Sequence, residues 1–450
     1  MRTVCGAMDR RVVDNMGWLV FSKVVRFGGG LVIGVWLARY LGPEAFGLLS
    51  FALAMTAVFA VLAGLGLHDV LVRECVTCAD RRGEILGTAL VLHLLGSLVS
   101  WAAIVLIVQL VGPAHADMQA LIIIVSAGLL VQASCVTRAW FEARVQARPV
   151  VLLEISAFLV VSVLRCALIL LQAPIMMFAW LIALEACLVS LGLLVLFNKR
   201  VRPATGFSIS SEQALHLLRS AWPLMVSGLA IMVYARTDQL MLGNLIDPAA
   251  VGLYSAALWL SEGWYILPII IVSSVFPGLL RAGSAESNAS RPVIDSDDMQ
   301  RLLDWLASMG LALAATITVL APWLIILLFG AAYASAVVVL QLHVWSMVFV
   351  FLGVAGHKWL LAERLQHLFL YRTLLGAGIN IALNLLLIPR YGIVGAAVAT
   401  LITQAVVSVG FDALHARTRL LFSLNCHALV FGPIRVGRGV YAALRYRVRG

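Results

Sequence analysis

Apolar runs of about 20 residues, the length that crosses hydrocarbon as a helix, recur along the whole chain. They predict twelve spans, at about 17–39, 44–67, 85–111, 118–134, 149–172, 174–197, 220–243, 250–277, 303–329, 334–355, 367–388 and 391–413. The polar stretches between them alternate in character. On one side they are short, as in VGPAHAD, QAP, NLIDPAA and FGAAYA; on the other they are longer and basic. Lys and Arg number 25 in the N-terminal segment, the basic loops and the tail, against two, Arg39 and Arg390, on the opposite side. This asymmetry predicts that both termini are cytosolic. It also divides the chain into a cytosolic segment 1–16, a six-helix bundle 17–197, a linker 198–219, a second six-helix bundle 220–413 and a basic tail 414–450. In the tail, LLFSLNCHALVFGPI (420–434) is short for a span and reads as an interfacial helix on the inner leaflet, or as a docking site for a biosynthetic enzyme.

Composition sharpens this picture. Of 450 residues, 62% are hydrophobic and 12% charged, with a mean hydropathy of +1.01. A soluble core stops growing well below that demand, so the class is an all-α polytopic membrane protein. The net charge of +10 follows from topology and anionic inner-leaflet lipid, which excludes nucleic acid as the partner. The seven cysteines are scattered, and the single CxxC, Cys75 and Cys78, lacks a second pair or histidines at zinc-finger spacing. No metal or cofactor is expected. No GxxxxGK[ST] loop occurs, so a gradient or removal of product would power any transport. The charged middle of the first span argues against a cleaved signal peptide. The sequon Asn288-Ala289-Ser290 falls on the cytosolic side and is discounted.

The two halves repeat. GPEAFGLLSFAL (42–53) and DPAAVGLYSAAL (247–258) share seven of twelve positions at an offset of 205, each joining the first and second spans of its half. A weaker echo, RYGIVGAAVATL (390–401), opens the last span. Because both halves begin inside and hold six spans, the predicted pseudo-twofold axis runs along the membrane normal.

Charges at membrane depth are the candidate chemistry, since each costs several kcal/mol and must face a cavity, a partner or a substrate. Lys23 and Arg26 lie about 9 and 14 Å in from the cytosolic end of the first span, three residues apart on one face. Lys23 alternatively snorkels to the inner interface. Gly28, Gly29 and Gly30 follow and permit a bend or a close helix approach. Arg236 and Asp238 point to nearly opposite sides of span seven, and Glu262 lies about 16 Å into span eight. Glu262 is read either as a coupling carboxylate or as an ion-pair partner of Arg236 or Arg26. Glu185 in span six is expected to pair structurally with Arg165 in span five. Glu154 is expected to reach the interface, and His343 to be a hydrogen-bonded packing residue. Arg372, Asn380 and Asn384 form a polar stripe on span eleven and a candidate cavity lining. Trp259, Trp264 and Tyr265 either stack on sugars or anchor at the interface.

LARYLGPEAFGLLSFALAM, GLGLHDVLVRE, WPLMVSGLAIMVYARTDQLMLGNL, AVGLYSAALWLSEGWYILP and LLLIPRYGIVGAAVATLIT resemble the polysaccharide/O-antigen flippase family of the multidrug/oligosaccharidyl-lipid/polysaccharide exporter superfamily, over roughly residues 14–413. The resemblance implies two six-helix bundles around a central cavity that opens alternately to either side. It implies a multi-pass transporter, not an enzyme, in the bacterial cytoplasmic (inner) membrane. Such a protein flips undecaprenyl-diphosphate-linked oligosaccharide for lipopolysaccharide O-antigen or exopolysaccharide, among membrane lipids and other surface-polysaccharide assembly proteins. A multidrug exporter would be expected to carry acids in the first span, where this chain has cations. A peptidoglycan-precursor flippase typically resembles a fourteen-span chain. A glycan polymerase or acyltransferase would show a large periplasmic loop or a catalytic constellation, and neither is present.

Overall fold

The computed structural model describes residues 10–78, 81–110, 116–200, 208–286 and 295–449. The first nine residues, most of the expected loop VGPAHAD, linker residues 201–207 and the sequon at 288–290 lie outside the described residues. No strand occurs among the described residues. The helices are α1 (Arg10–Gly64), α2 (Leu67–Thr77), α3 (Arg82–Leu110), α4 (Ala116–Ser126), α5 (Cys135–Ala143), α6 (Ala147–Leu170), α7 (Ile175–Arg200) and α8 (Ser211–Leu245). They continue as α9 (Pro248–Glu262), α10 (Ile266–Glu286), α11 (Ser296–Phe329), α12 (Ala336–His343), α13 (Ser346–Ala362), α14 (Gln366–Ser408) and α15 (Arg419–Arg449).

Among the described residues ten helices are long and apolar enough to cross a membrane, or eleven with a pair bent by 43°, Met118–Gln132 and Cys135–Ala143. Twelve spans were expected. The difference arises because α1 carries the first two expected spans across a kink at Gly42 (φ 72°, ψ 172°), and α14 carries the last two across a kink at Gly392 (φ 55°, ψ −132°). Both angles suit a residue without Cβ. Conversely, residues Arg419–Arg438 of the tail are long and apolar enough to span, where the sequence suggested an interfacial segment.

The repeated corner takes two forms. In the first half Gly42 makes the turn and Pro43 opens the next helical segment, where its missing N–H costs nothing. At the matching position of the second half, Asp247 is extended and its carboxylate accepts a hydrogen bond from the Ala250 amide at 2.6 Å, capping α9.

The chain forms two compact units, Met1–Asn244 and Leu245–Gly450. In the first, Leu67, Leu71, Ile85, Trp140, Phe141, Phe197, Leu217 and Ala221 belong to one apolar cluster. Residues 220–244, expected to open the second bundle, lie on α8, whose Leu217 and Ala221 belong to this cluster. Gly66 (φ 65°) lies close against that helix: a Cβ there would stand 2.7 Å from the Met225 amide nitrogen. In the second unit α15 fastens to α11: Gln300 donates to the Leu424 carbonyl at 3.2 Å, and Arg435 meets Asp304 at 3.3 Å.

Candidate functional site

In the first unit a carboxylate is enclosed by two arginines from separate helices. Glu154, in the second turn of α6, is 4% exposed, and each of its oxygens takes one guanidinium. Arg26 Nη1 of α1 donates to Oε2 at 3.1 Å, and Arg138 Nη2 of α5 donates to Oε1. The arginines are 41% and 38% exposed, so the acid is sealed while the cations stay open on their outer edges. The chain of charges continues outward. Arg138 Nε lies 3.6 Å from Glu142 Oε1, and Glu142 Oε2 lies 3.0 Å from His68 Nε2 on α2.

Local sequence explains why these groups converge. Gly29, one turn beyond Arg26, lets α1 close on α6: a Cβ there would stand 2.9 Å from the Phe158 ring, itself one turn beyond Glu154. A Cβ at Gly28 or Gly30 would meet nothing within 4 Å, so close approach belongs to the middle glycine of the three. Arg138 reaches the site because the fourth span does not stop at 134 as expected. It passes through a 3₁₀ stretch, Ala127–Ser134, held by a Ser134–Ser190 hydroxyl bond of 2.9 Å, and resumes as α5. Eight residues of 3₁₀ geometry are unusual and re-aim the helix that follows. Lys23 is exposed one turn before Arg26. Around the same end, Arg148 lies over the Trp18 ring at 5.3 Å and Arg144 over Trp140 at 4.4 Å, and the Ala147 amide donates to Asn15 Oδ1 at 2.6 Å.

Of the residues singled out by sequence, Lys23 and Arg26 share this site. Glu154 is buried between arginines instead of reaching the interface. Arg138, Glu142 and His68 were missed, because a polar stretch after an apolar run reads as a loop. Glu185 and Arg165 form the expected pair at 2.8 Å, each 18% exposed, about three turns along α6 from Glu154. Arg236 lies on α8 with Nη1 3.5 Å from Gln239 Oε1, and Asp238 is buried on the same helix.

The second unit holds the rest. Arg372, Asn380 and Asn384 are all buried along α14, where Asn384 donates to Asn380 at 3.1 Å and Arg372 stands 5.5 Å from the Phe369 ring. Glu262 closes α9 at a short 3₁₀ turn, Gly263–Tyr265. His343 Nδ1 meets the Ser261 hydroxyl at 2.9 Å and the ring packs edge-on against Tyr254, a buried packing histidine. Among the described residues no three His, Cys, Asp or Glu side chains are grouped so as to hold a metal.

Residues 12–282 match the family described as polysaccharide biosynthesis protein. Over 63 residues the chain is 41% identical to the succinoglycan biosynthesis transport protein ExoT of Rhizobium meliloti, a match covering 14% of this chain and 13% of that protein. Over 190 residues it is 28% identical to the probable flippase AglR of Haloferax volcanii, covering 40% of this chain and 37% of that one. The chain therefore matches well under half the length of these curated relatives. Among solved structures it resembles the lipid II flippase MurJ in an inward closed conformation, with a TM-score of 0.66, 14% identity and 94% and 92% of the two chains covered. It also resembles an inward-facing multidrug resistance MATE family transporter of the MOP superfamily, with a TM-score of 0.62, 16% identity and 94% and 98% covered. At such identities the likeness is one of fold. The family match, in contrast, extends over more than half of the 450 residues, and the chain belongs to the polysaccharide biosynthesis protein family.

Proposed function

We propose that this protein is an alternating-access flippase that moves undecaprenyl-diphosphate-linked oligosaccharide from the inner to the outer leaflet of the cytoplasmic membrane for surface polysaccharide synthesis. Lys23, Arg26 and Arg138 receive the diphosphate. The observation that carries this reading is the pair of half-exposed guanidiniums on α1 and α5, with a lysine one turn away. The chemistry demands such a site. A sugar hydroxyl taken unpaired into hydrocarbon costs on the order of 4–8 kcal/mol, so the glycan needs a polar path, and fixed cations hold its anionic end there. Outward movement of negative charge is also favoured by about 2.3 kcal/mol per charge per 100 mV across an inside-negative membrane. Arg236, Arg372, Asn380 and Asn384 are further candidate contacts, and Asp238, Glu262 and Glu185 candidate coupling or ion-pair carboxylates.

The likeness of fold to MurJ and MATE structures supports a second reading, export of a peptidoglycan precursor or of drugs. Cations in the first span favour an anionic substrate over a cationic drug. The deciding experiment is complementation of a null strain. Lys23→Ala/Arg26→Ala, expressed at the normal level, is expected to abolish surface glycan while cell-wall synthesis continues. Full restoration of surface glycan would refute the assignment of these cations. Cell-wall failure in the null strain would transfer it to the second reading.

A further inference from the structure

We propose that Glu154 is the built-in counter-anion of the cation site, standing where a phosphate would bridge Arg26 and Arg138, and that the substrate's diphosphate must displace it. The inference rests on the reading of these arginines as the diphosphate site and assigns the residue that governs release.

The geometry points to competition. A carboxylate and a phosphate offer guanidiniums the same thing, a pair of anionic oxygens close together. Glu154 already uses both of its oxygens, one for Arg26 and one for Arg138, so it occupies the bridging position between α1 and α5. A diphosphate arriving at the open edges of the arginines meets a buried negative charge immediately behind them. It bridges both guanidiniums only by drawing them off that charge.

Drawing them off has a cost, and the cost sets the affinity. Glu154 is 4% exposed, and water cannot replace the arginines it loses. The arginines, at 41% and 38%, lose far less. Substrate binding is therefore opposed by the stranded carboxylate, and the pair re-forms when substrate leaves. A transporter needs this balance, because a site built of cations alone would hold a diphosphate too firmly to release it. The far side of Arg138 is restrained in a weaker way. Glu142 lies 3.6 Å from it, is 38% exposed and is shared with His68. Glu142 can keep Arg138 oriented after Glu154 is displaced.

Competition and support predict opposite signs for one substitution. If Glu154 merely positions the arginines or stabilises the fold, Glu154→Gln weakens anion binding. If Glu154 competes, the same change tightens it. The test measures binding of inorganic pyrophosphate to the purified full-length protein in detergent, followed by tryptophan fluorescence. Glu154→Gln is expected to bind pyrophosphate at least tenfold more tightly than wild type, Glu154→Asp to resemble wild type, and Glu154→Gln cells to make less surface glycan despite normal expression. Unchanged or weaker pyrophosphate binding by Glu154→Gln overturns the proposal. A second measurement needs no variant: pyrophosphate should raise carbodiimide labelling of Glu154 in the wild-type protein, read by mass spectrometry, and lower or equal labelling overturns it. Arg26→Ala/Arg138→Ala separates the two levels of inference. If it leaves pyrophosphate binding intact, the site itself is wrong. If it abolishes binding while Glu154→Gln fails to tighten it, only the role of Glu154 falls.

Discussion

Gly66 offers the sharpest test of how the first unit is built. It ends the second expected span in the left-handed region, just after Leu65, which also has positive φ, and it packs against the backbone of α8. In Gly66→Ala the new Cβ would lie 2.7 Å from the Met225 nitrogen and 2.8 Å from the Ala221 oxygen. Neither is a side chain, so no rotamer change relieves the overlap. A left-handed L-residue costs about 1–2 kcal/mol and overpacking of a tight contact about 1–3 kcal/mol, together about 2–5 kcal/mol. At about 2–4 °C per kcal/mol for a unit of this size, the melting temperature should fall by at least about 4 °C in a detergent-solubilised thermal scan. Gly42→Ala carries a backbone cost without an overlap. Its φ is also positive, but its Cβ would meet nothing within 4 Å, so the expected loss is about 1–3 kcal/mol from strain alone. Both variants should therefore melt below wild type. Surface glycan should fall in Gly66→Ala as well, because His68, the outer end of the charge chain, lies two residues on. A Gly66→Ala protein melting at the wild-type temperature would refute the packing argument.

Arg165→Ala strands Glu185 in the membrane and should destabilise by about 3–5 kcal/mol, less the relief that its 18% exposure allows; Arg165→Leu/Glu185→Leu should recover most of the melting temperature and keep surface glycan, and loss of glycan by a stable double variant would show the pair to be functional. His343→Phe removes the bond to Ser261 and should cost about 1–3 kcal/mol by thermal scan, with glycan per folded molecule unchanged; a stable protein that no longer transports would contradict the packing role.

Much of this structure was legible in the sequence, for identifiable reasons. Apolar runs disclosed the spans because lipid demands their length, and the offset of 205 disclosed the repeated corner because Pro, Gly and Ala are fixed there by geometry. Arg165 and Glu185 could be paired because they lie at similar depth on consecutive spans. The stripe of Arg372, Asn380 and Asn384 followed from helical period. Arg138 could not be found this way. Its helix resumes after a 3₁₀ segment that hydropathy does not register, and basic residues past an apolar run look like ordinary cytosolic loop. Nor could Arg26 be given its partner, since Glu154 lies 128 residues away and Glu262 was as plausible by depth alone. Pairing across such a distance is decided by which helices touch, and a glycine, Gly29, makes that contact.

The duplicated corner has a mechanical consequence. One copy turns on a glycine, which has no side chain to offer, whereas the other is clasped by the Asp247 carboxylate on the Ala250 amide. A glycine joint resists bending only through its neighbours, while the clasped joint must first break a hydrogen bond. The two halves inherited one plan and diverged in compliance: of the two corners, the softer belongs to the helix that carries Lys23 and Arg26, so the element holding the cations has the freer joint.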